Sequence, residues 1–331
     1  MTGNPKPIPR SLLIFGASGR IGGSAASHIR QVSPQTRLRL ATSSEKKAQR
    51  LQAQFPGCEV VVANYLDVTT LIPAFKDMEG IFIVTPDFLD ERQAMFNVVA
   101  AARHAATLLH MVRLTGDPPG VHSEESVPLH LREFDGGTAV QHLRARKLLD
   151  SSGLPVTYIN IAAYYMADFL KLFGIGLASK HTLFVPYDRI MAFLDSRDVG
   201  EVAACLLLSS NQRHLGKTYQ LDNGVDLMRF CDVARLMSEV LGVPIAYNDS
   251  PEDFMRECAA MPAYQQRQDG LRYALRYYEW EREAETLWRR SDILEALTGH
   301  KGRTLRQWLE EHRDRLLGTS LPVTPVASLS K

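Results

Sequence analysis

The stretch Ser11-Leu-Leu-Ile-Phe-Gly-Ala-Ser-Gly-Arg-Ile-Gly-Gly23 decides the fold. Leu12 to Phe15 is a short apolar run suited to a buried parallel strand; it breaks at Gly16, and a helical pattern follows from Arg20 to Gln31. Glycines at 16, 19 and 22 leave the spacing G-x-x-G-x-x-G. At such a corner the first glycine permits a sharp turn. The second lets a pyrophosphate approach the backbone, and the third lets the helix pack close to the sheet. The open N–H groups and partial positive charge of the helix start suit phosphate. Gly16, Ala17, Ser18, Gly19, Arg20, Ile21 and Gly22 are thus expected to hold a dinucleotide. Closely spaced glycines also recur by chance in turns; their place between a strand and a helix favours the nucleotide reading.

Working outward, strands are expected at Arg37–Thr42, Cys58–Ala63, Gly80–Pro86, Leu108–Thr115 and Val156–Ile161. Helices are expected between them at Glu45–Phe55, Val68–Phe75, Gln93–Ala106 and Thr138–Ser151. This alternation implies a Rossmann-type doubly wound α/β fold with a parallel sheet. Residues 116–137 read as a long loop just beyond a strand end, on the side where such sheets bind ligands. Tyr164–Phe173 reads either as a core helix or as the wall of an apolar pocket. Asp195 or Ser196 is expected to cap a helix that follows Met191–Leu194, and Lys217–Leu221 to form another strand. Beyond it, Met228–Leu241, Pro251–Ala260, Gly270–Leu297 and Leu305–Leu317 read as helices. The expected organisation is a flexible arm at 1–9 and a dinucleotide-binding domain over 10–165, to which 190–222 returns. A smaller, mainly helical C-terminal lobe over 166–189 and 223–317 would bind substrate, followed by a disordered tail at 318–331.

Composition narrows the function classes. The 331 residues carry a net charge of +1, from 38 basic and 37 acidic side chains, which gives no footprint for nucleic acid or an anionic membrane. No apolar run has the length of a spanning helix or signal peptide, and the four cysteines form no C-x-x-C pair. A cytoplasmic protein without a metal site is expected, acting on a small molecule as a monomer or homodimer.

The end of the second strand discriminates the cofactors. A carboxylate there would accept from the ribose hydroxyls of NAD and repel a 2′-phosphate. Positions 41–44 are Ala-Thr-Ser-Ser, with no acid. Ser43, Ser44, Lys46 and Arg20 are expected to meet the phosphate of NADP(H), although Lys46 and Lys47 could equally solvate a helix start.

Several stretches resemble the NmrA-like, atypical short-chain dehydrogenase/reductase family over about residues 10–317. They are Gly16-Ala-Ser-Gly-Arg-Ile-Gly22, Gly80-Ile-Phe-Ile-Val-Thr-Pro86, Met111-Val-Arg-Leu-Thr115, Gln141–Thr157, Phe193–Ala203 and Gly302-Arg-Thr-Leu-Arg-Gln-Trp308. The stretch Gln141–Thr157 is similar to the helix-turn-strand of isoflavone reductase-like and quinone reductase-like members. The resemblance implies an NADPH-dependent oxidoreductase, or a regulator that binds the dinucleotide without turnover. It leaves room for a cyclase or isomerase assisted by the cofactor. It also places His142 where isoflavone reductase-like enzymes carry a lysine and the quinone reductase-like branch a histidine. The Tyr-x-x-x-Lys pair of ordinary short-chain dehydrogenases is absent, since position 143 is Leu, and Asn160-Ile161 stands where members often have Arg-Pro.

His142 is therefore the first candidate proton donor, with holding a ribose or being an ordinary surface histidine as the alternatives. Tyr164 and Tyr165 could donate a hydrogen bond or simply pack, and Asp168 could pair with a cationic substrate or lie on a helix surface. Thr85, Pro86, Thr115 and His142 are expected beside the nicotinamide ribose. The aromatic Tyr164–Phe173 segment, with Tyr264, Tyr273, Tyr277, Tyr278 and Trp280, favours a bulky apolar aromatic or heterocyclic substrate. Reduction of C=C, C=N or C=O in secondary metabolism is the function expected.

Overall fold

The structure, a computed structural model, describes residues 5–261 and 268–319. Strands β1 (Ser11–Ile14), β2 (Arg37–Thr42), β3 (Glu59–Val62), β4 (Gly80–Ile83), β5 (His110–Thr115) and β6 (Val156–Ile161) alternate with helices. These helices are α1 (Arg20–Val32), α2 (Glu45–Gln54), α3 (Val68–Phe75), α4 (Glu91–Ala105), the one-turn α5 (Leu129–Arg132) and α6 (Thr138–Asp150). Downstream lie β7 (Tyr164–Tyr165), α7 (Leu177–Lys180), β8 (Thr182–Phe184), β9 (Ile190–Leu194), α8 (Ser196–Leu207), β10 (Thr218–Leu221), β11 (Leu227–Arg229) and α9 (Phe230–Leu241). The chain closes with β12 (Ala246–Asn248), α10 (Pro251–Ala259), α11 (Gln268–Glu283), α12 (Ile293–Thr298), α13 (Leu305–Glu311) and α14 (Arg313–Leu316).

The main sheet has seven strands in the order β3-β2-β1-β4-β5-β6-β10, and every pairing is parallel. Because side chains alternate along a strand, Leu12 and Ile14 join one core with Ile29, Phe82, Val112 and Val199, while Leu13 joins the other with Ile83, Met95 and Leu149. Each face is thus covered, as an all-parallel sheet requires. The strand order reverses between β1 and β4, so a crevice opens at their carboxyl ends.

Packing of α1 against α8 depends on glycine. A Cβ at Gly200 would lie 2.6 Å from the Ala25 nitrogen, and one at Gly22 would lie 2.5 Å from the Gly16 carbonyl. Only hydrogen fits at either position.

The third large core belongs to the lobe and is built from Phe169, Phe173, Phe230, Phe254, Tyr278 and Trp308 with aliphatic neighbours. Of the two readings of Tyr164–Phe173, core helix or pocket wall, the α-helix does not form. Tyr164 and Tyr165 are drawn into extended pairing with Phe193 and Leu194 of β9, and two 3-10 turns follow, Met166–Leu170 and Leu172–Gly174. Of the segment 190–222, α8 packs on α1 and β10 joins the main sheet, whereas β9 pairs with β7 and β11 in a separate sheet. The helix expected over Leu305–Leu317 divides at His312. The imidazole Nδ1 of His312 competes for the Trp308 carbonyl at 2.9 Å while its ring stacks on the indole. Residues 116–137 contain a 3-10 turn, Glu124–Ser126, as well as α5. At the amino end, Lys6 donates its backbone N–H to the Ser210 carbonyl and is buried. Residues 1–4, the tail from 320 and Tyr264 lie outside the described residues.

Candidate active site

The glycine corner has the geometry its spacing requires. Gly16 takes φ +64°, a left-handed conformation, with Val84 filling the place of a side chain. Gly19 caps α1 in an extended conformation with no side chain bonded to the helix start, and no acid occupies the first turn. The leading N–H groups of α1 are therefore left for an anionic ligand. A Cβ at Gly19 would meet only the Gly16 carbonyl, at 3.2 Å, so the loop's outer side is bare backbone. Ala17 is buried, Ser18 faces Thr42 at 3.3 Å between hydroxyls, and Arg20 is exposed. Beyond β2, Ser43 and Lys46 are exposed, and Ser44 begins α2 without a side-chain capping bond, leaving its hydroxyl free of the helix. Lys47 is occupied with the Ser43 hydroxyl at 3.2 Å. This rim offers hydroxyls and cations to an adenosine 2′-phosphate; β2 ends without an acid, and the nearest carboxylate in sequence is the exposed Glu45 in the first turn of α2.

The residues expected around the nicotinamide come together at the ends of β4, β5 and β6. Thr85 does not offer a free hydroxyl: it donates to Glu91 Oε1 and accepts from Arg113 at 3.0 Å. Pro86 is exposed beside it. Thr115 donates to Asn160 Oδ1 at 2.9 Å, and the same oxygen accepts the Asp117 N–H at 2.6 Å. The Asn160 amide nitrogen reaches the Asp117 carbonyl and Gln220. Asn160 thus knots β5, β6 and β10 together, which gives it a local purpose where Arg-Pro might stand.

His142 projects from α6 toward the end of β5. Its Nδ1 accepts the Gly116 N–H at 2.8 Å, so its proton is on Nε2, facing Glu91 Oε1 at 3.6 Å. Burial, helped by the Arg113 guanidinium, lowers its pKa to about 4, and Asp117 opposes this. The ring is neutral near pH 7.

Tyr164 lies in the lobe core. Its hydroxyl donates to Glu281 at 2.7 Å, and burial and that carboxylate both raise its pKa. The hydroxyl of Tyr165, one residue on, has no hydrogen-bond partner among the described residues, and burial raises its pKa too. Asp168 meets Lys171 at 3.4 Å; burial raises its pKa, Lys171 and Arg20 of the glycine loop oppose that, and Asp87 adds to it. Tyr165 and Asp168 therefore share an electrostatic neighbourhood with the glycine loop and the β4 exit, whereas Tyr164 does not face it.

Sequence reasoning missed the buried ion pair Glu91–Arg113, whose oxygen and nitrogen are 2.7 Å apart, and Gln141, which accepts the Glu91 N–H at 3.1 Å. The signal was present: an arginine inside an otherwise apolar strand must find a counter-charge. Two open surface depressions, of about 680 and 400 Å³, are lined by residues such as Lys180 and Val243, and Asn223 and Arg290. Neither touches the glycine corner.

Sheet order and corner together define a Rossmann-type α/β protein with an appended lobe. The NmrA-like family matches residues 10–306, and the chain belongs to that family. It is 26% identical over 312 residues to a (4-alkanoyl-5-oxo-2,5-dihydrofuran-3-yl)methyl phosphate reductase of Streptomyces griseus, covering 92% of this chain and 98% of the relative. Among solved structures, an NADPH-dependent quinone oxidoreductase of Escherichia coli complexed with NADPH superposes with a TM-score of 0.73 at 22% identity, covering 91% and 99% of the two chains. NmrA, a negative transcriptional regulator solved with NADP, gives 0.71 at 18% identity, covering 93% and 95%.

Proposed function

We propose that this protein is an NADPH-dependent reductase of a small, apolar, aromatic or heterocyclic metabolite. The observation that carries the proposal is the glycine corner: bare backbone, an uncapped helix start and a β2 end that carries hydroxyls in place of an acid. The reductase names of the Streptomyces relative and the Escherichia coli neighbour support the same reaction class. Gly16–Gly22 would hold the pyrophosphate, and Ser43, Ser44, Lys46 and Arg20 the 2′-phosphate. Bound NADPH supplies the hydride. The protein supplies orientation and excludes water.

Toward the lobe, Phe88, Phe134, Tyr273, Tyr277 and Trp280 form a continuous run of ring contacts 5.5–6.0 Å apart, which favours a flat apolar substrate. Tyr165, whose hydroxyl has no partner among the described residues, would hydrogen-bond the substrate's polar atom. The final proton would come from solvent, because His142 is neutral with Nδ1 occupied. The test is loss of 340 nm absorbance with NADPH and candidate enones, imines or quinones; binding without substrate-dependent oxidation refutes turnover. A second reading, an NADP(H)-binding regulator, draws support from how many polar groups are already committed: Thr85, Thr115 and Tyr164 all spend their hydroxyls inside the protein.

A further inference from the structure

Arg113 and the neutral ring of His142 converge on one carboxylate beneath the proposed site. Glu91 Oε2 accepts from Arg113 at 2.7 Å, and Oε1 accepts from the Thr85 hydroxyl, which Arg113 also holds at 3.0 Å. His142 Nε2 faces that same Oε1 but at 3.6 Å, beyond a hydrogen bond. Its other nitrogen accepts the Gly116 N–H. A second proton on the ring would have to enter at Nδ1, setting donor against donor, so the imidazolium cannot form without displacing the Gly116 peptide. The charged groups around the ring are Arg113 from β5, Glu91 from α4 and Asp117 from the turn after β5.

We propose that Arg113 is a positioning residue for the proposed reduction: by holding Glu91 it denies His142 a carboxylate partner, so the ring stays neutral and keeps the Gly116 turn in place. The catalytic meaning rests on the reductase reading; the charge competition does not. Arg113 acts at a distance from any ligand, through Glu91 and Thr85, and its effect is to keep the floor of the site unchanged as the solution becomes acidic. Without it the Glu91 carboxylate would keep only the Thr85 hydroxyl and face His142 with no other cation beside it. The imidazolium would then be favoured and the Gly116 bond released.

Histidine-detected NMR titration of the full chain tests this. In the wild type, His142 keeps the Nε2–H tautomer down to about pH 5, in line with a pKa lowered to about 4. In Arg113→Gln its proton affinity rises about 100-fold, and the Gly116 amide resonance shifts with the same midpoint. In Glu91→Gln/Arg113→Gln the midpoint returns toward the wild-type value, because the Glu91 carboxylate is gone and Asp117 acts as it does in the wild type. A wild-type ring that titrates above about pH 6, or a folded Arg113→Gln protein with an unmoved midpoint, overturns the proposal. If Arg113→Gln does not fold, Thr85→Val returns Oε1 to His142 with the ion pair intact. It should raise proton affinity roughly 3- to 10-fold, and no rise counts against the proposal. In the NADPH oxidation assay, Arg113→Gln gains an acid limb near neutral pH that the wild type lacks. Absence of any wild-type turnover would refute the reductase reading and leave the titration result standing.

Discussion

Two buried ion pairs, one in each half of the molecule, differ in what surrounds them. In the lobe, Arg189 donates to Glu281 at 2.8 Å, to the carbonyls of Pro186 and Tyr187, and to the Tyr164 hydroxyl. Its guanidinium also stacks over Tyr278 and Phe230, at 4.4 and 4.8 Å. At the strand ends, Arg113 has Glu91 and Thr85, but its Nε is buried with no partner among the described residues. The lobe pair is closed on every side, by rings and carbonyls, and serves the fold. The strand-end pair is incompletely satisfied and borders the proposed site. A buried charge with every hydrogen bond met marks a core; one that leaves a neighbour in contention marks a place where charge is being managed.

The largest effect should separate the two. Glu281→Ala strands the Arg189 charge among aromatic rings and is expected to cost about 3–5 kcal/mol in urea unfolding, with no change in the titration of His142. A cost under about 1 kcal/mol would show that the lobe pair is not the anchor described. Next comes pH. His142 and His110 have pKa values lowered from 6.5 to about 4 and about 3, by burial first of all, so both are neutral in the native protein. The unfolded chain takes up these protons below its own pKa. The stability they contribute is therefore complete above about pH 6.5 and is lost as pH falls toward 4 and then 3. For His142 this is on the order of 3 kcal/mol. Urea midpoints that stay level between about pH 7 and 4.5 would contradict it.

Gly19→Val acts only at the corner, where a Cβ stands 3.2 Å from the Gly16 carbonyl and its branches project over bare backbone. NADPH affinity by calorimetry should drop at least roughly 100-fold, about 2.7 kcal/mol, with thermal stability nearly unchanged. Equal affinity would move the phosphate site elsewhere. The smallest change is Lys46→Ala, expected to weaken NADPH about 3- to 10-fold relative to NADH through loss of one exposed cation. If both dinucleotides weaken equally, Lys46 does not discriminate the phosphate.

The β1–α1 corner was legible because local rules converge there: apolar strand, glycine spacing and helix period agree. Val68–Phe75 and Val156–Ile161 likewise match their expected limits, and of the two expected caps, Asp195 and Ser196, it is Asp195 that caps α8 by accepting the Arg197 N–H. What escaped depends on residues distant in the chain. Tyr164 meets Glu281 across 117 positions, and Thr115 meets Asn160 across 45. No period or spacing encodes such pairs, so a tyrosine committed to the core and one with a free hydroxyl look alike when they stand side by side at 164 and 165. His142 lies on α6, and its protonation depends on a peptide N–H at Gly116 and on a contest for Glu91 that only the folded chain sets up.

Gly200 lies on α8 and takes no part in the corner, yet its missing side chain lets the backbone of α1 lie directly against it. A methyl group at that position would push α1 bodily away, and with it the turn at its leading end. Tolerance to mutation at this remote spot would then follow the demands of the dinucleotide rather than those of its own surroundings. A screen for lost cofactor affinity should return position 200 alongside the residues that touch the phosphates.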